Sequence, residues 1–439
     1  MDSAFLAALA GFFLLLFLGV PVAFALGGST LLIYMLSPDF TLQQALPQIC
    51  QDIWSGPDSF VLLAIPFFIL SGLLLGRGGI ARRLIRFAQF AVGWLPGGLA
   101  CVNVLACMLF GAVSGSAAAA ASSIGSVLVP AMEEQGYDRD FSSALTMTAA
   151  TTGLLIPPSN IMIVYAAVAQ VSIGALFLAG FLPGVLTGLS LMAAALFLSL
   201  KRGYKRTPFC GWAEGVRRFL DALPGLFLIV LVMGGITGTL GPTLKFTATE
   251  AAVVAVVYSL VLALIYREVR IAEIPGLLLE TARITAFIMF LIGTSKAMGF
   301  ALEIKEIPET TSRYLLSMGS SPLTVLLLVN FFLLVVGAFM DMTPAVLIFT
   351  PIFLPAMKAL GIHPLHFGLI LVANLCIGLV TPPVGTILFV GCAVGKTTIW
   401  KVLPSLIPFF LAMLFALAVT CALPSDWILW LPRAFGFQL

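Results

Sequence analysis

The sequence predicts an all-α, polytopic membrane protein with two inverted repeats, each holding a re-entrant helical hairpin and a broken transmembrane helix. Three observations lead to this prediction. Hydrophobic residues make up 61% of the chain and charged residues 9%, whereas a soluble domain carries about 25% charged residues. Sequence landmarks recur at a nearly constant offset. Basic residues gather in a few short segments between apolar runs.

Apolar runs near the length of a membrane span occur along the whole chain. A helix needs roughly 20 apolar residues to cross a bilayer, and such runs occupy residues 60–75, 174–200, 223–239 and 402–423. The 439 residues leave room for about ten spans and no sizeable soluble domain. The first apolar stretch lacks a basic leader and a small-residue cleavage site, so we expect a first span rather than a removable signal.

The second half of the chain repeats landmarks of the first half. The matching residues, 225 to 227 positions apart, are Asn103 and Asn330, Gly111 and Gly337, Pro130 and Pro355, Gly153 and Gly378, and Pro157 and Pro382. Small insertions account for the shift in the offset. Duplicated halves are a common plan of secondary transporters, in which the substrate site lies where the halves meet.

Charge predicts the orientation of each half, because short basic loops stay in the cytoplasm. The basic segments are 77–86, 201–218, 267–270 and 396–401, and the acid-rich ones are 39–58 and 303–309. The assignments agree only if residues 95–132 form a hairpin that enters and leaves on the cytoplasmic side, with its tip near 113–117. Residues 322–357 then form a hairpin that enters from the outside, with its tip near 340–344. The two halves are therefore predicted to face opposite ways.

Two further elements follow from the same inversion. Residues 4–36 are predicted to be two short spans broken at Gly19-Val20-Pro21, with one long tilted helix as the alternative. Residues 80–93 and 305–318 precede the two hairpins and mix charged and apolar residues at helical spacing. They are predicted to be helices that lie on the membrane surface.

Small polar residues occur at membrane depth in four stretches, where a plain span needs none. These stretches are 111–116, 151–160, 337–344 and 381–386. Two of them contain a double proline, Pro157-Pro158 and Pro382-Pro383, which cannot continue an α-helix. The preceding carbonyl groups lose their partners and must face protein, water or an ion. With nearby Ser and Thr hydroxyls they predict an oxygen cage for a hard cation such as sodium. Helix N-termini at the hairpin tips can point donors at a carboxylate.

Several residues have a structural explanation beside the functional one. Asp341, the one carboxylate at a predicted tip, either binds a cation and orders the tip or only caps a helix. Lys296 either reaches the membrane interface or contacts substrate. Asn103 and Asn330 are expected to bond backbone between hairpin limbs. Ala117–Ala121 is predicted to be a packing surface. The scattered cysteines, His363 and His366 are predicted to be structural residues. No phosphate-cradling GxxxxGK[ST] loop is present, so ATP hydrolysis by this chain is excluded and no enzyme is predicted.

The motifs together resemble the large membrane subunit of tripartite ATP-independent periplasmic (TRAP) transporters, the DctM-like family. The resemblance runs nearly from end to end. The segments that carry it are 66–72, 111–117, Leu155-Ile156-Pro157-Pro158-Ser159, Asp341-Met342-Thr343-Pro344 and Thr381-Pro382-Pro383-Val384-Gly385. It implies sodium-coupled uptake of a small carboxylate-bearing solute across a bacterial inner membrane, and an elevator cycle in which a transport domain slides against a scaffold. Sodium would be the coupling ion, with no organic cofactor.

The resemblance also implies partners and binding residues. The partners are a separate four-helix membrane subunit (DctQ-like), a periplasmic substrate-binding protein (DctP-like) and membrane lipid, with no nucleic acid. Sodium would lie near Ser114, Thr152, Gly153, Pro157, Asp341, Thr343, Gly378 and Thr381. Substrate would lie near Ser116, Ser159, Asn160 and Thr386. Dicarboxylates, keto acids, sialic acids and sugar acids all fit this expectation.

The resemblance divides the chain into five segments. Scaffold spans and a surface arm occupy 1–94 and 222–318, hairpins with broken helices occupy 95–200 and 322–439, and 201–221 is a cytoplasmic linker. Two alternative functions stay open. A stand-alone sodium- or proton-coupled anion symporter of the same hairpin superfamily would transport without a binding protein. A channel or structural membrane protein would show no saturable, gradient-coupled flux.

Overall fold

The computed structural model describes residues 3–37, 41–77, 79–204, 206, 211–239, 241, 245–318 and 321–439. Regular structure in these ranges is helical throughout. The helices of the first half are α1 (Ser3–Phe17), α2 (Val22–Met35), α3 (Leu42–Ser55), α4 (Ala64–Arg77), α5 (Ile80–Val92), α6 (Gly98–Ser114), α7 (Ala117–Glu134), α8 (Arg139–Thr152), α9 (Asn160–Ala169) and α10 (Ile173–Lys201). A 3-10 helix, Phe60–Leu63, leads into α4.

The second half begins with α11 (Trp212–Thr237), α12 (Ala248–Ile265) and α13 (Ile274–Ile304), with a 3-10 helix at Ile271–Glu273. It continues with α14 (Ile307–Met318), α15 (Pro322–Gly337), α16 (Met342–Ala359), α17 (Pro364–Gly378), α18 (Thr386–Gly395) and α19 (Ile399–Ala422). Two short helices, α20 (Ser425–Ile428) and α21 (Trp430–Ala434), follow. In the described ranges, seven helical segments are long and apolar enough to cross a membrane.

Both predicted hairpins are pairs of helices joined by a short turn. In the first, Asn103 of α6 lies 3.5 Å from the Met132 sulfur of α7, near the open end of the pair. In the second, the Phe332 ring of α15 contacts the rings of Phe349 and Phe353 of α16, at centroid distances of 5.3 and 5.6 Å. The limbs therefore run antiparallel in both cases. Whether the hairpins are re-entrant stays a prediction, since α16 is also long enough to span.

Three other predictions concern helix ends. The stretch 4–36 is broken between α1 and α2, as predicted for two short spans and not as a single long helix would be, with Gly19 at φ +79° in the break. Both proposed surface segments are helical, as α5 and α14. Helix α11 begins at Trp212, so residues 212–221 of the predicted linker belong to a helix.

The helices form two packing groups. In the outer group, α13 packs on α2, α3 and α4, while α12 packs on α4 and α11. In the inner group, α8 packs on α6, α7 and α19, and α10 packs on α6 and α19. Helix α5 packs on α6, and α14 packs on α16, so each predicted surface helix contacts a limb of the hairpin that follows it. Helices α15 and α16 pack on α17, which packs on α10 and α19, so the inner group holds both hairpins and both double prolines.

The structure changes the interpretation of Asn103 and Asn330. Asn103 donates to the Thr146 hydroxyl of α8 at 2.7 Å instead of to a carbonyl of the opposite limb. Asn330 donates to Leu326 of its own helix, and Asn374 of α17 donates to its side-chain oxygen at 2.7 Å. The prediction of limb-to-limb backbone bonds was therefore wrong. Both asparagines tie the first limb of a hairpin to the helix that precedes the double proline.

Candidate functional site

The tip of the first hairpin is a tight turn with hydroxyl groups on both sides. Helix α6 ends at Ser114, which is buried, and Gly115 adopts φ +64°, a conformation that a glycine adopts without strain. Ser116 is the N-cap of α7, where its hydroxyl oxygen accepts a hydrogen bond from the Ala119 amide at 3.3 Å. The tip thus presents the N-terminus of α7 beside two serine hydroxyls.

The first double proline separates α8 from α9 and leaves a row of unpaired carbonyl groups. Residues 151–159 are all buried, and the Pro157-Pro158 peptide bond is cis. Amides of Leu154 and Leu155 close the last turn of α8. In the described part of the chain, the carbonyl oxygens of residues 153–158 accept no hydrogen bond. Because an orphaned carbonyl at this depth is costly, these oxygens favour a bound cation or ordered water.

Side-chain oxygens next to this break also lack partners. The Ser159 hydroxyl, at the N-cap of α9, is fully buried, and neither it nor the Asn160 side-chain oxygen has a hydrogen-bond partner in the structure. The Thr152 hydroxyl donates to the Ala149 carbonyl at 2.6 Å. Its proton is therefore engaged, while its lone pairs stay available to a cation. Predicted sodium and substrate residues thus lie on both sides of one break.

The first tip and the first break are in direct contact through glycine. A Cβ atom built on Gly111 would lie 2.6 Å from the Gly153 Cα atom, so the two backbones touch. A Cβ atom built on Gly115 would lie 3.4 Å from the Pro158 carbonyl oxygen and 3.5 Å from Asn160 Nδ2. The structure therefore places the first hairpin tip in direct contact with the first break, at Gly153, Pro158 and Asn160.

The second half repeats this contact between tip and break. A Cβ atom on Gly337 would lie 3.1 Å from the Gly378 Cα atom, and the Val384 amide donates to the Ala338 carbonyl of the tip at 3.1 Å. The Pro382-Pro383 peptide bond is cis. The Thr381 hydroxyl donates to Ile377 at 2.7 Å.

Asp341 links the second tip to the helix after the second break. It is the N-cap residue of α16, near the amides of Met342 and Thr343. Its carboxylate also accepts a hydrogen bond from the Thr386 hydroxyl, at the start of α18, at 3.2 Å. A helix cap needs no contact with α18, so this bond favours the tip-ordering role. Thr343 is half-buried in the first turn of α16.

The two breaks differ in how fully their backbone is paired. In the second, the Thr381 carbonyl accepts from Gly385, and the Leu379 carbonyl accepts from Ile387 and Leu388. The corresponding carbonyls of the first break, at residues 154 and 156, accept none. The first break therefore offers more unpaired oxygen. Among the tip and break residues that the structure describes, the one carboxylate is Asp341 of the second tip.

The two halves meet at the ends of α8 and α17. The Cys376 thiol lies 3.4 Å from the Thr151 carbonyl, and these residues are 225 positions apart. A contact between two residues one repeat offset apart is what a twofold relation between the halves would require near its axis. Beyond this point, α7 packs on α18 and α16 packs on α9, so each hairpin contacts the half-helix that follows the other break.

Some polar residues near the breaks were not predicted from the sequence. Asn374 of α17 is fully buried, and its side-chain oxygen has no hydrogen-bond partner in the structure. A lone Asn inside the apolar run 369–377 was the signal that could have identified it.

Two residues that the sequence analysis weighed have structural partners. Lys296 donates to Ser55 of α3, to the carbonyl at 3.2 Å and the hydroxyl at 3.0 Å, which favours its structural interpretation. His366 lies within α17 and bonds Ser425 and Thr420. In the described residues, no three His, Cys, Asp or Glu side chains form a metal cluster.

If sodium binds at the first break, as the family resemblance implies, replacing Pro157 by Ala is expected to lower the sodium affinity of transport roughly tenfold or more. The new amide at position 157 can donate to the Gly153 carbonyl, which accepts nothing now. A hydrogen bond to a charged partner contributes about 1.5–3 kcal/mol, and the loss of one cation ligand is of that order. Uptake measured against sodium concentration checks this, and Pro382→Ala should act in the same direction. Wild-type sodium curves for both variants would identify the breaks as ordinary kinks.

Comparisons with known proteins agree over nearly the full chain. The family described as "Tripartite ATP-independent periplasmic transporter, DctM component" matches residues 9–425. The chain is 46% identical over 428 residues to the uncharacterized protein YgiK of Salmonella typhimurium. The alignment covers 97% of this chain and 96% of that protein. It is 41% identical over 400 residues to the C4-dicarboxylate TRAP transporter large permease protein DctM of Pseudomonas aeruginosa, with 91% of each chain covered.

A relative named for a different solute is similar over the same length. The chain is 36% identical over 426 residues to the sialic acid TRAP transporter large permease protein SiaM of Vibrio cholerae, with 96% of each chain covered. Among solved structures, the Alcanivorax borkumensis YdaH transporter matches with a TM-score of 0.63 and 14% identity, over 88% of this chain and 89% of that one. This last likeness concerns the fold alone.

Proposed function

This chain belongs to the DctM family of tripartite ATP-independent periplasmic transporters, and we propose that it imports a small organic acid by coupling its entry to sodium. It is a multi-pass protein of the inner membrane and the large permease subunit of its transporter. The observation that carries the proposed coupling is the first break, where buried carbonyl and side-chain oxygens lack hydrogen-bond partners next to a hairpin tip. Sodium is a hard cation that is bound by such oxygens at discontinuous helices.

The arrangement supports two kinds of binding group in one site. Carbonyls 153–158 with Thr152 and Ser114 supply oxygens for a cation in the first half, and Asp341 with Thr381 and Thr343 supplies them in the second. The N-termini of α7 and α9, with Ser116, Ser159 and Asn160, supply donors for a carboxylate. In the described ranges, no Lys or Arg lies in either tip or either break. The bound carboxylate is therefore balanced by helix N-termini and by the coupling cation.

We propose a small carboxylate as the substrate. Relatives of similar length are named for C4-dicarboxylates and for sialic acid. Both solutes carry a carboxylate, which is the group that the helix N-termini can bind. We propose that a periplasmic binding protein selects the solute and delivers it, and that a small four-helix membrane subunit completes the complex.

An elevator motion of inverted repeats is proposed for the transport step. The offset of 225 residues between Thr151 and Cys376, which touch, supports a twofold relation between the halves. The separation into an outer and an inner packing group supports a scaffold and a moving body. Opposite orientation of the halves rests on the distribution of basic loops.

The test is uptake by the three-component complex reconstituted in liposomes. Uptake of a radiolabelled carboxylate that the cognate binding protein binds is expected to need both an inward sodium gradient and that protein. Choline in place of sodium should abolish it. Unchanged uptake with neither sodium nor the binding protein would contradict the proposal. Sodium-dependent uptake by the permease alone would instead support the stand-alone symporter, and flux without saturation would support a channel.

A further inference from the structure

We propose that the groove between the start of α11 and the end of α5 binds an anionic phospholipid, with the phosphate at Arg86 and Arg217 and an acyl chain against Trp94 and Trp212. The groove has a volume of about 440 Å³ and is lined by Phe90, Ala91, Trp94 and Trp212. None of these lining residues belongs to a tip or a break, so the proposed transport site does not include the groove.

The apolar part of the groove is built by aromatic rings from two distant segments. The rings of Phe90 and Trp212 meet edge to face at a centroid distance of 5.9 Å. Gly215 permits this contact, because a Cβ atom on it would lie 2.0 Å from the Phe90 ring. The Trp94 indole donates to the Ala91 carbonyl at 3.0 Å and is 51% exposed. Tryptophan is typical of the membrane–water interface, where an apolar ring and a polar edge are both satisfied.

Basic residues lie at one end of this aromatic surface. Arg82, Arg86 and Phe90 follow each other at intervals of four residues along α5 and share one face of it. The Glu214 carboxylate, in the first turn of α11, is attracted electrostatically by three arginines: Arg218, Arg217 and Arg86. The fold therefore brings together two basic segments, 77–86 and 201–218, that lie far apart in sequence.

Two of these arginines, Arg86 and Arg217, remain available to bind a ligand. Arg218 pairs with Glu214 at 3.0 Å, and Arg83 pairs with Glu268 at 3.0 Å. In the described part of the chain, neither Arg86 nor Arg217 forms an ion pair, and both are exposed. Basic pockets between membrane helices on the cytoplasmic side are suited to anionic lipid head groups. The positive charge, the interfacial tryptophans and the apolar groove together fit phosphatidylglycerol or cardiolipin.

The test measures lipid retained by the purified full chain. Native mass spectrometry after exchange into detergent with phosphatidylglycerol, cardiolipin or phosphatidylcholine reports the bound lipid. The double variant Arg86→Gln/Arg217→Gln should lower retention of the anionic lipids roughly tenfold or more. The variant Lys396→Gln/Lys401→Gln, which removes the same charge from another exposed basic segment, should retain them as the native chain does. Trp94→Ala should also lower lipid retention, because it removes a ring against which the acyl chain is proposed to pack.

Each alternative occupant gives a different result. Equal retention of phosphatidylcholine, or equal loss in both double variants, would overturn the proposal. Competition by inorganic phosphate at millimolar concentration would show an ion site without a lipid. Loss of the small membrane subunit on co-purification, with lipid retention unchanged, would show a protein interface instead. Gel filtration of each variant checks that the chain stays folded.

Discussion

Replacing Asp341 by Asn is expected to raise the sodium concentration for half-maximal uptake at least tenfold. Asn has the same shape and can still accept from Thr386, so the substitution removes the charge and little else. Two unit charges about 4 Å apart interact by about 4 kcal/mol at an effective dielectric constant of about 20. A loss of only about 1.4 kcal/mol already gives a tenfold change in affinity.

The matched control for this prediction is Asp221→Asn, on the exposed side of α11. It removes the same charge far from either tip and should leave the sodium curve unchanged. Thermal unfolding of the purified chain separates the two roles of Asp341. If the carboxylate binds or orders a cation site, the sodium curve shifts while the melting temperature without sodium stays near the native value. A normal sodium curve with a lowered melting temperature would show that Asp341 only caps α16.

The double prolines show which features local chemistry can predict. A single proline does not end a helix here, since α10 continues through Pro183. Two consecutive prolines remove two backbone donors and clash with the preceding turn, so Pro157-Pro158 and Pro382-Pro383 identified both breaks from the sequence. The same holds for the hairpin turn at Gly115, where a glycine precedes a serine N-cap. These predictions needed no knowledge of what packs against each helix.

Asn103 and Lys296 show what local chemistry could not predict. The partner of Asn103 is Thr146, and the partner of Lys296 is Ser55, and both pairs join helices that are far apart in sequence. The packing of α6 on α8 and of α3 on α13 decides these bonds. The repeat offset predicts the order of the helices but not how each helix is rotated about its axis. The hydrogen-bond partners of these side chains could therefore not be predicted from the sequence.

The difference between the two breaks can be read in the sequence once the structure shows where to look. At the repeat offset, Ser159 and Asn160 correspond to Val384 and Gly385, and Ile156 corresponds to Thr381. Side-chain oxygens therefore follow the first double proline directly, at Ser159 and Asn160, whereas the hydroxyl of Thr381 directly precedes the second. Backbone pairing differs as well, since Gly385 donates to the Thr381 carbonyl and leaves fewer unpaired oxygens in the second break. In the proposed site the two halves therefore supply unequal sets of ligand atoms.

Replacing Gly153 by Ala is expected to reduce transport tenfold or more and to destabilise the inner group of helices. A Cβ atom on Gly153 would lie 2.3 Å from the Gly111 Cα atom, and backbone atoms cannot rotate away as a side chain can. Helix α6 must move, and overpacking of this kind costs about 1–3 kcal/mol. This movement separates the first tip from the first break. The proposed oxygen cage therefore widens, although none of its ligand residues has been replaced.

A glycine without such a contact provides the control. Gly299 lies inside α13, and nothing lies within 4 Å of a Cβ atom built on it. Gly299→Ala should keep native uptake and raise stability slightly, because Ala is favoured over Gly in a helix by about 1 kcal/mol. Gly378→Ala should behave like Gly153→Ala, since its Cβ atom would lie 2.7 Å from the Gly337 Cα atom. Uptake rates and melting temperatures of the three variants decide the matter: if Gly153→Ala matches Gly299→Ala in both, the close approach of tip and break does not hold the site together.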